Sequence, residues 1–150
     1  MPALDPVTVE EQTGSAYPPP LDAPCRDRAK RALGDALGLT HFGVNLRRLG
    51  PGAWSAQRHW HTQEDEFVYV LEGEVTLITD AGEQILRPGM AAGFKAGVAD
   101  GHHLVNRTAK PAVYLEVGDR SVDDDVHYPD VDLFVSRRDG VIRHKSGEPY

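Results

Sequence analysis

From residue 41 onward, hydrophobic residues alternate with polar ones in short runs that Gly, Pro and Asp interrupt. Alternation with a period of two, over about four to eight residues, predicts β-strands that turn one face toward a core. The predicted strands cover residues 42–49, 57–61, 66–71, 74–79, 83–86, 90–94, 102–106 and 113–117. Gly73, Gly82 and the Pro88-Gly89 corner supply turn chemistry between them. Regularly spaced short strands of this kind predict an all-β sandwich or barrel.

The N-terminal part of the chain follows a different pattern. Prolines at 18–20 and 24 exclude both a helix and a central strand, so residues 1–24 are predicted to form an extended arm. Residues 25–37 are predicted to form one short helix, because small and aliphatic residues recur on one side. These residues are Ala29, Ala32, Leu33, Ala36 and Leu37. Residues 25–150 are then expected to form one domain with a C-terminal extension.

Composition narrows the class of protein. The chain has 150 residues and a formal net charge of −7, which argues against the basic face that nucleic-acid binding requires. No stretch approaches the roughly 20 apolar residues of a membrane span, and the first residues lack the pattern of a signal peptide. We therefore expect a cytoplasmic protein whose partners include neither nucleic acid nor membrane. Its one cysteine, Cys25, cannot form an internal disulfide and is expected to be reduced.

Three side chains near the middle of the chain suit a metal ion. His59 and His61 are two residues apart, so on an extended strand both imidazoles point to the same face. A polar turn over residues 62–65, whose own carboxylates are expected to face solvent, separates them from Glu66 at the start of the next predicted strand. A hairpin would return the Glu66 carboxylate toward the two rings. The spacing therefore predicts a metal site.

The same residues belong to a longer pattern. A first motif comprises Gly52, His59, His61, Glu66 and Gly73. A second, looser motif comprises Gly82, Pro88, Gly89, His102 and Asn106. Together they resemble the two sequence motifs of the cupin superfamily, and the whole chain is similar to small single-domain bacterial cupins. This resemblance implies a jelly roll, or double-stranded β-helix, in which antiparallel strands close into a small barrel with the ligands at its mouth.

The resemblance also implies a fourth ligand from the second motif. That motif is two residues longer than usual, so counting forward from its turn reaches Asp100, whereas counting backward from Asn106 reaches His102. An imidazole suits the set better than Asp100. His103 remains an alternative, but it faces the opposite side of a strand from His102 and Asn106. The predicted metal ligands are His59, His61, Glu66 and His102.

Three imidazoles and one carboxylate suit a divalent transition metal, namely Fe, Mn, Ni, Co, Cu or Zn, rather than Mg or Ca. An octahedral ion held by four protein ligands keeps two positions for a substrate. We predict an enzyme that acts on a small oxygen-rich molecule as a dioxygenase, isomerase, decarboxylase or lyase. The alternatives are a binding or sensor protein whose ligand coordinates the metal, and a metal-free scaffold. Gln57 shares the parity of His59 and is a predicted substrate contact.

The C-terminal segment predicts an oligomer. It is too polar to form a second core, yet it contains several hydrophobic residues that need cover. These residues are Val126, Tyr128, Val131, Leu133, Phe134 and Val135. A second subunit could supply that cover, so we predict a homodimer.

Overall fold

The computed structural model describes residues 3–150, and nearly all of its regular structure is β. The strands are β1 Gln12–Thr13, β2 Arg28–Ala32, β3 Phe42–Leu49, β4 Trp60–His61, β5 Glu66–Glu72, β6 Val75–Thr79, β7 Gly82–Leu86, β8 Ala91–Phe94, β9 His103–Val105, β10 Ala112–Asp119, β11 Asp125–His127, β12 Phe134–Ser136 and β13 Ile142–Arg143. The helical elements are the 3-10 turns Pro6–Thr8 and Ala23–Cys25 and the single-turn helix α1 Leu33–Ala36. The all-β prediction is confirmed.

The strands form three antiparallel sheets. The largest has the order β1-β2-β3-β10-β5-β8, the second β13-β12-β11-β4 and the smallest β7-β6-β9. The main core lies between the largest and smallest sheets, because its buried side chains come mostly from β3, β5, β6, β7, β9 and β10. Its members are Leu49, Ala53, Val68, Val70, Val75, Leu77, Leu86, Leu104, Ala112 and Tyr114.

The strands predicted from residue 42 onward are found within a few residues of their expected ends. Phe42–Leu49 matches its predicted range, and the strands that follow Glu66 differ mostly by one or two residues at each end. The exception is 57–61, where only Trp60 and His61 are in a strand. Hydrophobic and polar alternation predicts the other strands correctly because one face of each strand packs on a core while the other is more exposed.

The helix predicted over residues 25–37 is wrong. Arg28–Ala32 is instead a strand that pairs with β3 over its full length, from Arg28 opposite Leu49 to Ala32 opposite Asn45. Ala29 is buried in this strand. Helix propensity is a weak preference that a long run of cross-strand pairing overrides. Only one helical turn follows, and it packs tightly on β3, since a Cβ at Gly34 would lie 2.9 Å from the backbone nitrogen of Val44.

The N-terminal arm packs along the domain, although residues 1 and 2 lie outside the described part. Gln12–Thr13 adds an edge strand by pairing with β2. Further on, Tyr17 and Leu21 pack against a second hydrophobic cluster formed by C-terminal residues. The buried members of this C-terminal cluster are Val126, Tyr128 and Leu133.

The homodimer prediction assumes that a second subunit covers the hydrophobic residues of the C-terminal segment. In the structure, Tyr17 and Leu21 of the same chain help to cover them. The homodimer therefore stays a prediction without that support. Cys25 is fully buried as a free thiol, and burial raises its pKa. Within residues 3–150, no helix has the length and hydrophobicity needed to cross a membrane.

Candidate metal centre

Two different sheets bring the predicted ligands together. His61 lies on β4, which pairs with β11 through His61 and Val126. Glu66 opens β5 in the largest sheet, where it is opposite Gly118 and Phe94. The predicted hairpin between β4 and β5 is therefore wrong. The turn over 62–65 carries the chain from one sheet to the other, and the carboxylate approaches the imidazoles from a facing sheet.

A backbone bridge fixes the relation between His59 and His102. Each donates its backbone N–H to the carbonyl of the other, with N···O distances of 3.1 Å from His59 and 2.9 Å from His102. Residues directly opposite in an antiparallel pair project their side chains to the same face. The two rings accordingly lie with centroids 4.8 Å apart.

The Glu66 carboxylate is the meeting point of the three imidazoles. Its Oε2 lies 2.7 Å from Nε2 of His102 and 3.6 Å from Nε2 of His59, and its Oε1 lies 3.4 Å from Nε2 of His61. Donor atoms of His59, His61 and Glu66 all lie within 4.8 Å of one another. Each histidine turns the same ring nitrogen toward one small volume, which is the arrangement a metal ion needs.

One oxygen at this meeting point has no good partner. Oε2 of Glu66 is buried and makes no properly oriented hydrogen bond among residues 3–150, although His102 is close. A buried polar atom left in this state is costly. A cation at the meeting point would remove the cost, so the donor set fits a bound metal.

The charges of the cluster depend on one another. Burial alone would raise the pKa of Glu66, but the adjacent imidazoles of His102, His59 and His61 hold it well below its usual range. Burial lowers the pKa of His61, but hydrogen bonding and charge from Glu66 and Asp124 prevail and raise it to about 9. For His102, burial dominates and lowers the pKa. Glu66 is therefore ionised, as a metal ligand must be.

His102 and His103 diverge as the parity argument predicted. The His102 ring stacks on Phe94 with centroids 3.5 Å apart and approaches Glu66. The His103 ring turns toward Trp54, and its Nδ1 lies 2.9 Å from the carbonyl oxygen of Ala56. This geometry favours His102 as the fourth ligand, and its assignment stays a prediction.

A buried carboxylate that the sequence did not reveal orients His61. Asp124 is fully buried, and its Oδ2 lies 2.6 Å from Nδ1 of His61. Its Oδ1 accepts the backbone N–H groups of Gln63 and Glu64 at 2.9 and 3.3 Å. Hydrogen bonding at Nδ1 leaves Nε2 for the metal, and such outer partners are common around metal-binding histidines. His59 is held similarly, since its Nδ1 lies 2.8 Å from the carbonyl oxygen of Gln57.

Glu64 differs from its expected place on an exposed turn. It is only 7 % exposed, because its carboxylate accepts the backbone N–H of Ser121 at 3.1 Å and a hydrogen bond from Arg137 at 3.3 Å. Asp65 is exposed as expected. Glu64, His61 and Asp124 form a second compact group of donor atoms, but Asp124 and Glu64 already accept hydrogen bonds there. Asp124 and Glu64 therefore surround His61 and hold it in place for the group formed by His59, His61 and Glu66.

Gln57 lies beneath the N-terminal arm. Its side chain is buried, and its amide donates to the carbonyl of Leu21 at 2.8 Å. These contacts give it a role in holding the arm, while the predicted contact with a substrate stays a prediction.

A cavity of about 290 Å³ opens beside the cluster. His59, His61, Glu66 and His102 all contribute to its wall. Much of the remaining wall is polar or aromatic, and it is formed by Tyr17, Arg28, Arg47, Ser55, Tyr114, Glu116, Tyr128 and Arg137, among others. A small polyhydroxylated molecule would find hydrogen-bonding groups on several sides of this space.

Comparison with known proteins finds one sequence family and several similar solved structures. The cupin domain family model matches residues 45–118. A solved cupin from Silicibacter pomeroyi, described as a sugar phosphate isomerase, is 44% identical, with a TM-score of 0.93 and coverage of 99% of this chain and 96% of that one. A protein from Acidithiobacillus ferrooxidans is 35% identical, with a TM-score of 0.72 and coverage of 77% and 74%.

More distant structures share the fold alone. A polyketide cyclase from Streptomyces resistomycificus is 19% identical with a TM-score of 0.63, and the match covers 97% of this chain and 85% of that one. No curated protein matches the sequence. The near-complete match to the Silicibacter pomeroyi protein, together with the family model, settles the classification. The chain belongs to the cupin superfamily.

Proposed function

We propose that this cupin is a metal-dependent isomerase of a small sugar-like carbonyl compound. The proposed ligands of a divalent transition metal are His59, His61, Glu66 and His102. The main support is the buried Oε2 of Glu66, which has three imidazoles around it and no well-oriented hydrogen bond among the described residues. The description of the 44% identical Silicibacter pomeroyi cupin as a sugar phosphate isomerase supports the reaction class.

The protein's own groups suit a substrate rich in oxygen atoms. A bound divalent ion would supply Lewis acidity toward carbonyl and hydroxyl oxygens. Tyr128 lies beside His59, with ring centroids 5.7 Å apart, and its hydroxyl is 3.4 Å from that of Tyr17. Burial raises the pKa of Tyr128 well above its usual range. The Tyr128 hydroxyl therefore stays protonated at neutral pH and serves as a hydrogen-bond donor to a substrate oxygen.

The cavity also limits what can enter. Its volume of about 290 Å³ is at the lower end of typical ligand pockets, which span roughly 300–1,000 Å³. Phe94 stacks against His102 on one side, and Val68 and Leu104 line the wall near the core. A compact molecule of sugar size fits this volume, and a polymer does not.

The test combines metal analysis with an activity screen. Purified wild-type protein and the His59→Ala and His61→Ala variants are analysed for bound metal, with His41→Ala as a matched control because His41 is exposed and outside the cluster. We expect both cluster variants to lose the metal but keep the wild-type circular dichroism spectrum, and the control to behave like wild type. Fe, Mn, Ni and Zn forms are then screened for interconversion of aldoses and ketoses and their phosphates.

The possible outcomes distinguish an isomerase from a binding or sensor protein and from a metal-free scaffold. Turnover by a metal-loaded form that is lost in His59→Ala supports the isomerase. Tight one-to-one binding of a small molecule without turnover would replace it with a binding or sensor protein. Failure of the wild type to retain any of the four metals would leave only the scaffold.

A further inference from the structure

The inner face of the largest sheet carries an unusual group of cations next to the metal cluster. Arg28 and Lys30 are two residues apart on β2 and point to the same face. Lys30 is directly opposite Arg47 of β3. Arg28 and Arg47 line the cavity that contains Glu66.

Only one of these cations has a carboxylate partner. Arg47 donates from Nε and Nη2 to the two oxygens of Glu116, each at 3.0 Å. Arg28 donates to backbone carbonyls instead, through Nε to Gly14 at 3.0 Å and through Nη1 to Ser55. Its Nη2 has no hydrogen-bond partner, and Arg28 has no ion pair, among residues 3–150.

The positive charge of Lys30 has even fewer direct partners than that of Arg28. Its ammonium group makes neither a hydrogen bond nor an ion pair with any residue between 3 and 150. It lines a second cavity of about 520 Å³, which shares Glu66 and Glu116 with the first. Burial, followed by the charge of Arg47, lowers the pKa of Lys30. Lys30 is therefore partly desolvated beside Arg47, and the charges of Glu116 and Asp35 compensate for this only in part.

Partly buried cations without a directly bonded carboxylate cost free energy, and proteins rarely keep them without a purpose. Here the chain as a whole is acidic, at −7, so the cations are a local concentration and not a general property of the surface. Arg28 is also held in place, since its guanidinium carbon lies 5.5 Å from the centroid of the Tyr17 ring. A fixed guanidinium with a free N–H edge matches the oxygens of a phosphate.

We propose that Arg28 and Lys30 of β2, with Arg47 on the adjacent strand β3, bind the phosphate group of the substrate. The placement of the rest of the substrate at Glu66 and the three histidines rests on the proposed function, but the anion site does not. A phosphate monoester carries close to two negative charges at neutral pH, which matches the two cations without carboxylate partners. Arg28 and Lys30 are thus the residues that select a phosphorylated substrate over the free sugar.

The experiment measures binding of inorganic phosphate by isothermal titration calorimetry, on full-length protein with metal and after chelation. Variants are Arg28→Gln, Arg28→Lys and Lys30→Gln, and the matched control is Arg26→Gln, whose side chain is 67% exposed on the same segment. Loss of a charged hydrogen bond is expected to weaken binding roughly tenfold or more. We expect that loss in both Gln variants, a smaller one in Arg28→Lys, and none in the control.

Arg28 also anchors two loops, so its variants are checked for wild-type circular dichroism. Should Arg28→Gln fail to fold, Lys30→Gln decides, because Lys30 bonds to no described residue. Phosphate affinity that is unchanged in Lys30→Gln and in a folded Arg28→Gln would overturn the proposal. Binding that disappears on chelation would also overturn it, because phosphate would then be a ligand of the metal. Retained binding in a protein that takes up no metal would leave this proposal standing while the proposed function fails.

Discussion

Asp124 shows how a residue outside the ligand set controls the metal centre. Its carboxylate lies 2.6 Å from Nδ1 of His61, from a position 63 residues along the chain. By accepting the Nδ1 proton it fixes the ring so that Nε2 is the nitrogen aimed at the meeting point with Glu66. The strength of metal binding should therefore depend on a side chain that does not touch the metal.

We expect Asp124→Asn to weaken metal affinity by roughly 10–100-fold, the usual effect of an outer partner. The amide keeps the shape of the side chain but removes the negative charge that favours this orientation of His61. Affinity is measured by competition with a chromophoric chelator. Asp123→Asn is the control, because Asp123 is 67% exposed and bonds to Arg138. Equal affinities for the two variants would contradict the role of Asp124.

Glu66 should matter more, because it is a proposed ligand. Glu66→Gln keeps an oxygen donor but removes the charge that the three imidazoles stabilise. We expect a loss of affinity greater than the roughly 10–100-fold of an outer partner, measured in the same competition assay. Glu83→Gln, on an exposed pair with Arg107, should leave affinity unchanged. An unaltered affinity in Glu66→Gln would remove Glu66 from the ligand set.

The sequence allowed prediction of the cluster but not of its surroundings. His59, His61 and Glu66 lie within eight consecutive positions, so their spacing alone brings them into consideration. Asp124 and Arg28 are distant in sequence and meet the site only through sheet pairing. Asp124 also belongs to a run of three aspartates that resembles solvated surface. Nothing in such a run marks the one carboxylate that becomes fully buried.

At the scale of elements, β2 shows where periodicity alone fails. Its five residues carry small side chains and three basic ones, a composition that also suits a helix. What makes it a strand is the neighbouring β3, whose apolar and polar alternation is strong and whose edge is available for pairing. The inner face of β2 then brings Arg28 and Lys30 to the cavities. The missed element is thus the one that supplies the proposed anion site.

The turn after β5 depends on Gly73, a residue of the first motif. Its φ of +71° is in the left-handed region, and a Cβ there would lie 2.7 Å from the carbonyl oxygen of Pro111. Both effects oppose a side chain. We expect Gly73→Ala to reduce the free energy of unfolding by about 2–4 kcal/mol, as overpacking adds about 1–3 kcal/mol to the backbone strain of about 1 kcal/mol.

Gly52 provides the matched control for this prediction. Its φ is +80°, but a Cβ there would meet nothing within 4 Å. Gly52→Ala should therefore show only the backbone strain, about 1 kcal/mol. Urea unfolding followed by circular dichroism measures both variants. Equal losses would show that the contact with Pro111 relaxes at no cost.

At the scale of the whole molecule, the N-terminal arm and the C-terminal cluster close the structure around the site. Tyr17 packs against Tyr128 edge to face, with ring centroids 5.8 Å apart, and both rings line the cavity. Gln57 ties Leu21 to the segment before β4 that carries His59. The arm is thus continuous with the cavity wall, which its proline-rich sequence does not reveal, because proline predicts an extended conformation but not what it packs against.

Tyr17→Ala tests whether the arm stabilises the domain. We expect a loss of about 2 kcal/mol, less than the roughly 3–5 kcal/mol of a fully buried aromatic ring, because Tyr17 is only partly buried. For a chain of this size, that corresponds to roughly 4–8 °C in Tm by differential scanning calorimetry. Tyr17→Phe is the control, since it keeps the ring on Tyr128 and removes only a 3.4 Å hydroxyl contact. A Tm for Tyr17→Ala equal to that of Tyr17→Phe would mean that the arm rests on the domain without supporting it.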